Sequence, residues 1–135
     1  MEVMMDKLHI EIIKPDCKKC DMQADSILVP GFEGDLEILT GHTPLVTKLR
    51  PGTVIITEGD TAEYYAIHNG FITIDNNSVI IITETIEAKD EIDIKRAEEA
   101  KERAEKRLTG KLGDVDFRRA EGALKKAIAR INTVS

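Results

Sequence analysis

Tryptophan is absent, and three phenylalanines and two tyrosines are the only aromatic residues in a chain of 135. Any core must therefore be aliphatic. Cysteine is almost as scarce: the only two occur in Cys17-Lys18-Lys19-Cys20, without the second pair or the two close histidines that would complete a zinc site. The residues that follow, Asp21 to Pro30, read as extended and not as the helix that opens after a thioredoxin-type motif, so the pair is read as two thiols in a hairpin turn. Long apolar runs are missing too. Val79-Ile80-Ile81-Ile82 is the longest aliphatic stretch, with Val54-Ile55-Ile56 among the next, against about 18 apolar residues for a spanning helix. Met1 to Asp6 carries acids where a signal peptide carries basic residues. The chain is expected to face the cytosol without crossing a membrane.

Excess positive charge is also lacking. Nineteen Lys and Arg against 25 Asp and Glu leave a net charge of −6, which excludes a general nucleic-acid binder. No phosphate-binding Gly-x-x-x-x-Gly-Lys-Ser/Thr loop, Gly-x-Ser-x-Gly elbow or His-Glu-x-x-His pair occurs. No catalytic residue and no metal site are expected. His9 falls on the polar side of an alternating strand and His68 precedes a turn, so both read as surface histidines. His42, in Thr40-Gly41-His42-Thr43-Pro44, reads as a contact residue and not as a base.

What is present falls into two parts. Residues 1–90 hold 28 Val, Ile and Thr, all four prolines and six of the nine glycines, whereas residues 91–111 hold only Ile92, Ile94 and Thr109 of the β-branched set. The first part reads as strands and turns, the second as helix. Period-two alternation in Leu8 to Ile12 is followed by strand-length runs at Ser26–Val29, Leu36–Leu39, Leu45–Leu49, Thr53–Thr57, Tyr64–Ile67, Phe71–Ile74 and Val79–Thr83. Turn residues separate them, and Asn69-Gly70 is the strongest hairpin signal. Such spacing predicts an antiparallel sandwich or barrel.

From Asp90, placed to cap it, a helix carries Ile92, Arg96, Glu99 and Arg103 at spacings of three or four, and Thr109 to Gly113 breaks it. A second helix is expected from Asp114, with Phe117, Ala120, Leu124, Ala127 and Ile131 on one stripe. The facing residues are mainly Ala97, Ala100, Ala104, Ala120, Ala123 and Ala127, so the hairpin should be weakly held shut. Charge divides along the same line: residues 1–90 carry a net −9 and residues 91–135 a net +3. In the last helix, beyond its first turn, Arg118, Arg119, Lys125, Lys126 and Arg130 face one acid, Glu121. Such a set seeks an acidic partner or an anionic ligand, unless it is simply a solvated face.

The run Pro30-Gly31-Phe32-Glu33-Gly34-Asp35-Leu36-Glu37-Ile38-Leu39-Thr40-Gly41-His42-Thr43-Pro44-Leu45, continued by Leu49-Arg50-Pro51-Gly52, resembles the signature of the epsilon subunits of bacterial F-type ATP synthases. His68-Asn69-Gly70-Phe71 is similar to a glycine turn of that family, and Ile92-Asp93-Ile94-Lys95-Arg96-Ala97 to the motif that opens its helical hairpin. The resemblance implies an α+β fold: an N-terminal antiparallel β-sandwich of about ten short strands, residues 1–88, then a C-terminal antiparallel helical hairpin, residues 89–135. It implies that the sandwich docks on the gamma subunit and the membrane rotor ring, with Pro30, Gly31, Glu33, Gly34, Gly41, His42 and Pro44 at or near the contacts. It places the protein at the cell membrane, peripheral, on the cytoplasmic side, in an enzyme that couples ion flow to ATP synthesis.

The same resemblance makes the helices regulatory: folded against the sandwich in one state, extended into the alpha/beta head in another, where they block ATP hydrolysis. The basic helix with Arg118, Arg119, Lys125, Lys126 and Arg130 would be the inhibitory segment. Regulatory ATP, not hydrolysed, would bind the closed hairpin through Ile92, Asp93, Arg96, Ala97, Arg103, Lys126 and Arg130. Lys126 stands where ATP-binding members tend to carry arginine, and offers a point charge in place of a two-pronged fork. The alternative, a free-standing sandwich with a fixed helical cap for a small ligand, leaves the Pro30–Leu45 run unexplained.

Overall fold

The computed structural model describes residues 7–15 and 19–135. Ten strands come first: β1 (Leu8–Ile13), β2 (Lys19–Ala24), β3 (Ser26–Gly31), β4 (Gly34–Leu39), β5 (Leu45–Leu49), β6 (Gly52–Glu58), β7 (Thr61–Ile67), β8 (Gly70–Asp75), β9 (Ser78–Ile82) and β10 (Ile86–Ala88). A single 3-10 turn (Lys89–Glu91) leads to α1 (Ile94–Leu108) and α2 (Asp114–Val134). Cys17 lies outside the described residues; the backbone of Cys20 pairs with Ile12 in the β1–β2 hairpin.

The strands form one hydrogen-bonded sheet in the order β10-β7-β6-β3-β5-β8-β9-β1-β2, with β4 on β3. At β3 and β5 the sheet is joined by the single pair Gly31 and Leu49, and there it folds over into two five-stranded layers. Alternation drives this closure. In β8 and β9, Ile72, Ile74, Val79 and Ile81 point inward and are buried, while Phe71, Thr73, Ile80 and Ile82 point outward. Leu8, Ile10, Ile12, Ile27, Val29, Ile38, Val54 and Ile67 fill the space between the layers. The core is aliphatic, as the scarcity of aromatics requires.

Several local expectations are corrected. Asn69-Gly70 does not close a hairpin: β7 pairs with β6 and β10, and β8 with β5 and β9, so the chain crosses between layers there. The two-residue turn with left-handed backbone is Asn76-Asn77, φ 55° and 64°, which joins β8 to β9. The sandwich is not wholly antiparallel, because β1 runs parallel to β9. Asp90 does not cap α1. Ile92 is extended (φ −83°, ψ 124°), which ends the short turn, and Asp93 caps the helix by accepting from the Arg96 backbone N–H at 3.1 Å. Gly113 holds the cap position of α2, with Asp114 and Asp116 in its first turn, where the helix dipole favours acids.

The helices form the expected hairpin with Ala97, Ala104, Ala120 and Ala127 buried, but Ala123 and Phe117 are exposed. The stripe turns away because α2 serves two partners at once. It packs on α1 and, through Ala129 and Thr133, on the outer face of β6 and β7.

Candidate functional site

Pro30 and Gly31 are buried, so they shape the β3–β4 turn from within. A side chain at Gly31 would place its Cβ 2.5 Å from the Gly34 carbonyl oxygen, which only glycine avoids. Glu33, Gly41 and Pro44 are exposed, and Gly34 and His42 half-buried. Gly41 is fastened to the β8–β9 turn by its N–H, which donates to Asn77 Oδ1 at 2.8 Å. His42 Nδ1 lies 2.6 Å from the Thr43 carbonyl oxygen and donates to it, leaving Nε2 for other partners. Arg50 and Asp35 form an ion pair at 2.7 Å beside this segment.

Sequence reasoning missed an apolar row. Lys48, Phe71, Ile82 and Ile13 stand side by side across β5, β8, β9 and β1. With Phe32 they line a groove of about 750 Å³ on the outer face. Phe32 is 67% exposed and Phe71 48%, and Val46 extends the patch at 71%. The unbroken run Val79 to Ile82 was the available signal: half of it must point outward.

The helical arm rests on the opposite layer. Thr53, Ala66 and Glu87 form a cross-strand row on β6, β7 and β10, and His68 stands two residues beyond Ala66. Arg130 Nε donates to Glu87 Oε1 at 2.6 Å. Thr133 donates to the Ala129 carbonyl at 2.7 Å and accepts from Thr53 at 2.8 Å. His68, expected at the surface, is only 4% exposed, with Nε2 3.4 Å from the same Glu87 oxygen. Burial, then the charge of Arg130, hold its imidazole below the ordinary range despite Glu87. For Glu87, burial works to raise the carboxyl, but the hydrogen bond and charge of Arg130 outweigh it and keep it below the usual value. These tie points come from four separate elements, so no spacing within one element could have revealed them.

The residues expected to take ATP are divided. Asp93, Arg96 and Arg103 line one open depression of about 430 Å³ on α1, with Lys95 and Glu99. Two guanidiniums there suit a polyphosphate. Ile92 is half-buried and Ala97 buried in the helix contact. Lys126 and Arg130 lie on α2, and Arg130 is engaged by Glu87. Of the five basic residues of α2, Arg118, Arg119, Lys125 and Lys126 are exposed; Lys125 stands 3.8 Å from Glu121. Among the described residues, no His, Cys, Asp and Glu side chains group as a metal site, and no helix is long and apolar enough to cross a membrane.

An aliphatic sandwich with one exposed apolar face and a helical arm laid over the other defines a protein of the docking kind. Comparison with known proteins gives the family. Residues 7–89 match the β-sandwich domain of the ATP synthase delta/epsilon chain, and residues 90–135 match its long α-helix domain. The ATP synthase epsilon chain of Desulforamulus reducens is 39% identical over 123 residues, 91% of this chain and 93% of that one. The epsilon chain of Halalkalibacterium halodurans is 40% identical over 129 residues, 95% and 97% of the two chains. A chain in the cryo-EM structure of the Euglena gracilis mitochondrial ATP synthase, OSCP/F1/c-ring, shares the fold with a TM-score of 0.87 at 20% identity, over 99% of this chain and 85% of that one. The chain belongs to the ATP synthase delta/epsilon family, as an epsilon-type, non-catalytic subunit.

Proposed function

We propose that residues 1–88 dock on the gamma subunit and the rotor ring, and that residues 89–135 are a brake on ATP hydrolysis which is withdrawn when the hairpin lies closed on the sandwich. The observation that carries this reading is how lightly the arm is held. Each buried alanine methyl contributes on the order of 1 kcal/mol, against about 1.5–3 for a buried Leu or Ile. Among the described residues, the Arg130–Glu87 pair and the threonine contact tie the arm to the sheet by side-chain hydrogen bonds. The solved neighbours are parts of F1/c-ring and central stalk/c-ring assemblies, which supports gamma, ring and alpha/beta head as partners and the membrane periphery as the place of action.

The apolar row through Phe71 suits gamma, and the loop carrying Glu33, Gly41, His42 and Pro44 supplies polar contacts at its margin. His42→Asp and Phe71→Glu should each weaken gamma binding at least about tenfold, or ~1.4 kcal/mol. Undiminished affinity in both would remove the contact role.

ATP would regulate without being hydrolysed, with Arg96 and Arg103 on its phosphates and Lys126 and Arg130 of α2 joining them in the closed hairpin. Titration calorimetry of the isolated subunit should show binding at or below millimolar ATP, lost in Arg96→Ala. No heat, or heat unchanged by that substitution, rejects the site.

A further inference from the structure

We propose that His68, Glu87 and Arg130 form a proton-sensitive latch, in which protonation of His68 beneath α2 releases the hairpin from the sandwich. The geometry is that of a buried base with no place for a second proton. Nε2 faces Glu87 Oε1 at 3.4 Å, and Nδ1 is buried without a hydrogen-bond partner. In the neutral ring Nδ1 is an unused lone pair. In the cation it becomes an N–H with no acceptor, which a buried site resists strongly.

The charged groups acting on the ring are Glu87 from β10 and Arg130 and Lys126 from α2. Glu87 favours the imidazolium, but its Oε1 already accepts from Arg130 at 2.6 Å. A protonated His68 therefore competes with Arg130 for one carboxylate while repelling both cations of α2. The hairpin is what yields, since Glu87 is held in β10 and His68 directly follows the last paired residue of β7. Lifting α2 exposes the ring to water and removes the two cations together.

The sign follows from the depressed imidazole. With α2 docked the ring binds protons more weakly than when uncovered, where an ordinary value of roughly 6.5 applies. The open form therefore holds more protons, and closure is favoured above that pH and progressively lost as pH falls through it. The Glu87 carboxyl is held below its usual value by Arg130 and so stays charged across this window. The latch needs neither nucleotide nor a partner subunit, so its failure leaves the stalk reading untouched.

The test uses the full chain with Cys17 and Cys20 changed to serine and spin labels at the exposed positions Glu37 and Glu121, free of nucleotide. Distance distributions at pH 7.5, 6.5 and 5.5 should show the open fraction rising, at most about tenfold per pH unit for one linked proton. His68→Gln, which can donate to Glu87 but cannot titrate, should flatten the profile. Lys126→Met removes a cation facing the ring, so it should keep the hairpin closed at pH 7.5 and shrink the acid response. An open fraction constant between pH 7.5 and 5.5, or a response unchanged in either variant, overturns the latch.

Discussion

A subunit cut after Gly113 is expected to let the assembled enzyme hydrolyse ATP several-fold faster while remaining bound to gamma. The cut removes α2 with Arg118, Arg119, Lys125 and Lys126, all exposed, and Arg130, the one basic residue of the set tied into the sandwich. A brake made of such charges, as proposed, needs an acidic surface on the catalytic head. Exposed pairs contribute about 0.2–1 kcal/mol each, so several must act together and the effect should fade with salt. Replacing all five with alanine should release hydrolysis at low salt nearly as well as the cut. The sandwich survives because its core lies between the two layers, on the far side of β6 and β7 from α2. Hydrolysis rates of full-length, truncated and five-alanine subunits in a reconstituted head, at low and high salt, check this. Equal rates at low salt would count decisively against a charge-based brake.

Gly70→Ala should cost on the order of 3 kcal/mol, enough to threaten the fold. Gly70 has φ 154°, and a Cβ there would sit 2.4 Å from the Ile82 carbonyl oxygen and 3.1 Å from the Thr83 side chain. Backbone cannot retreat from that contact, because Gly70 pairs with Leu49 and its neighbour Phe71 with Ile82. Gly122→Ala is the counterpart: nothing lies within 4 Å of a Cβ there, and it is inside a helix. That change should stabilise α2 by up to about 1 kcal/mol. Urea unfolding of both variants beside the parent measures the contrast; a Gly70→Ala midpoint equal to that of the parent would refute the steric argument.

Strand positions were legible in the sequence wherever alternation was clean, as in β1 and β8, since one face of each must be apolar. Pairing was not. Asn69-Gly70 has ideal hairpin chemistry, yet the layers separate its flanking strands, and a turn residue cannot reveal where the chain goes next. Asp90 and Asp93 are equally good caps on paper; the extended backbone at Ile92 decides between them. His68 was misread because its burial comes from α2, which returns over it from more than half a domain away in sequence. The apolar face followed from composition, but its row through Ile13, Ile82 and Phe71 required the register.

The parallel pairing of β1 with β9 constrains the order in which the chain can assemble during synthesis. His9 and Ser78 are register partners roughly 70 residues apart, and contacts that distant are slow to form. Until β9 has emerged, the apolar stripe Leu8, Ile10 and Ile12 has only β2 beside it and half of its layer is missing. The sandwich therefore cannot close before β9 is available. The hairpin, whose own contacts are local, docks onto a finished surface, so damage to the arm should leave the yield of folded sandwich intact, whereas damage to β9 would strand the N-terminal hairpin as an exposed apolar edge.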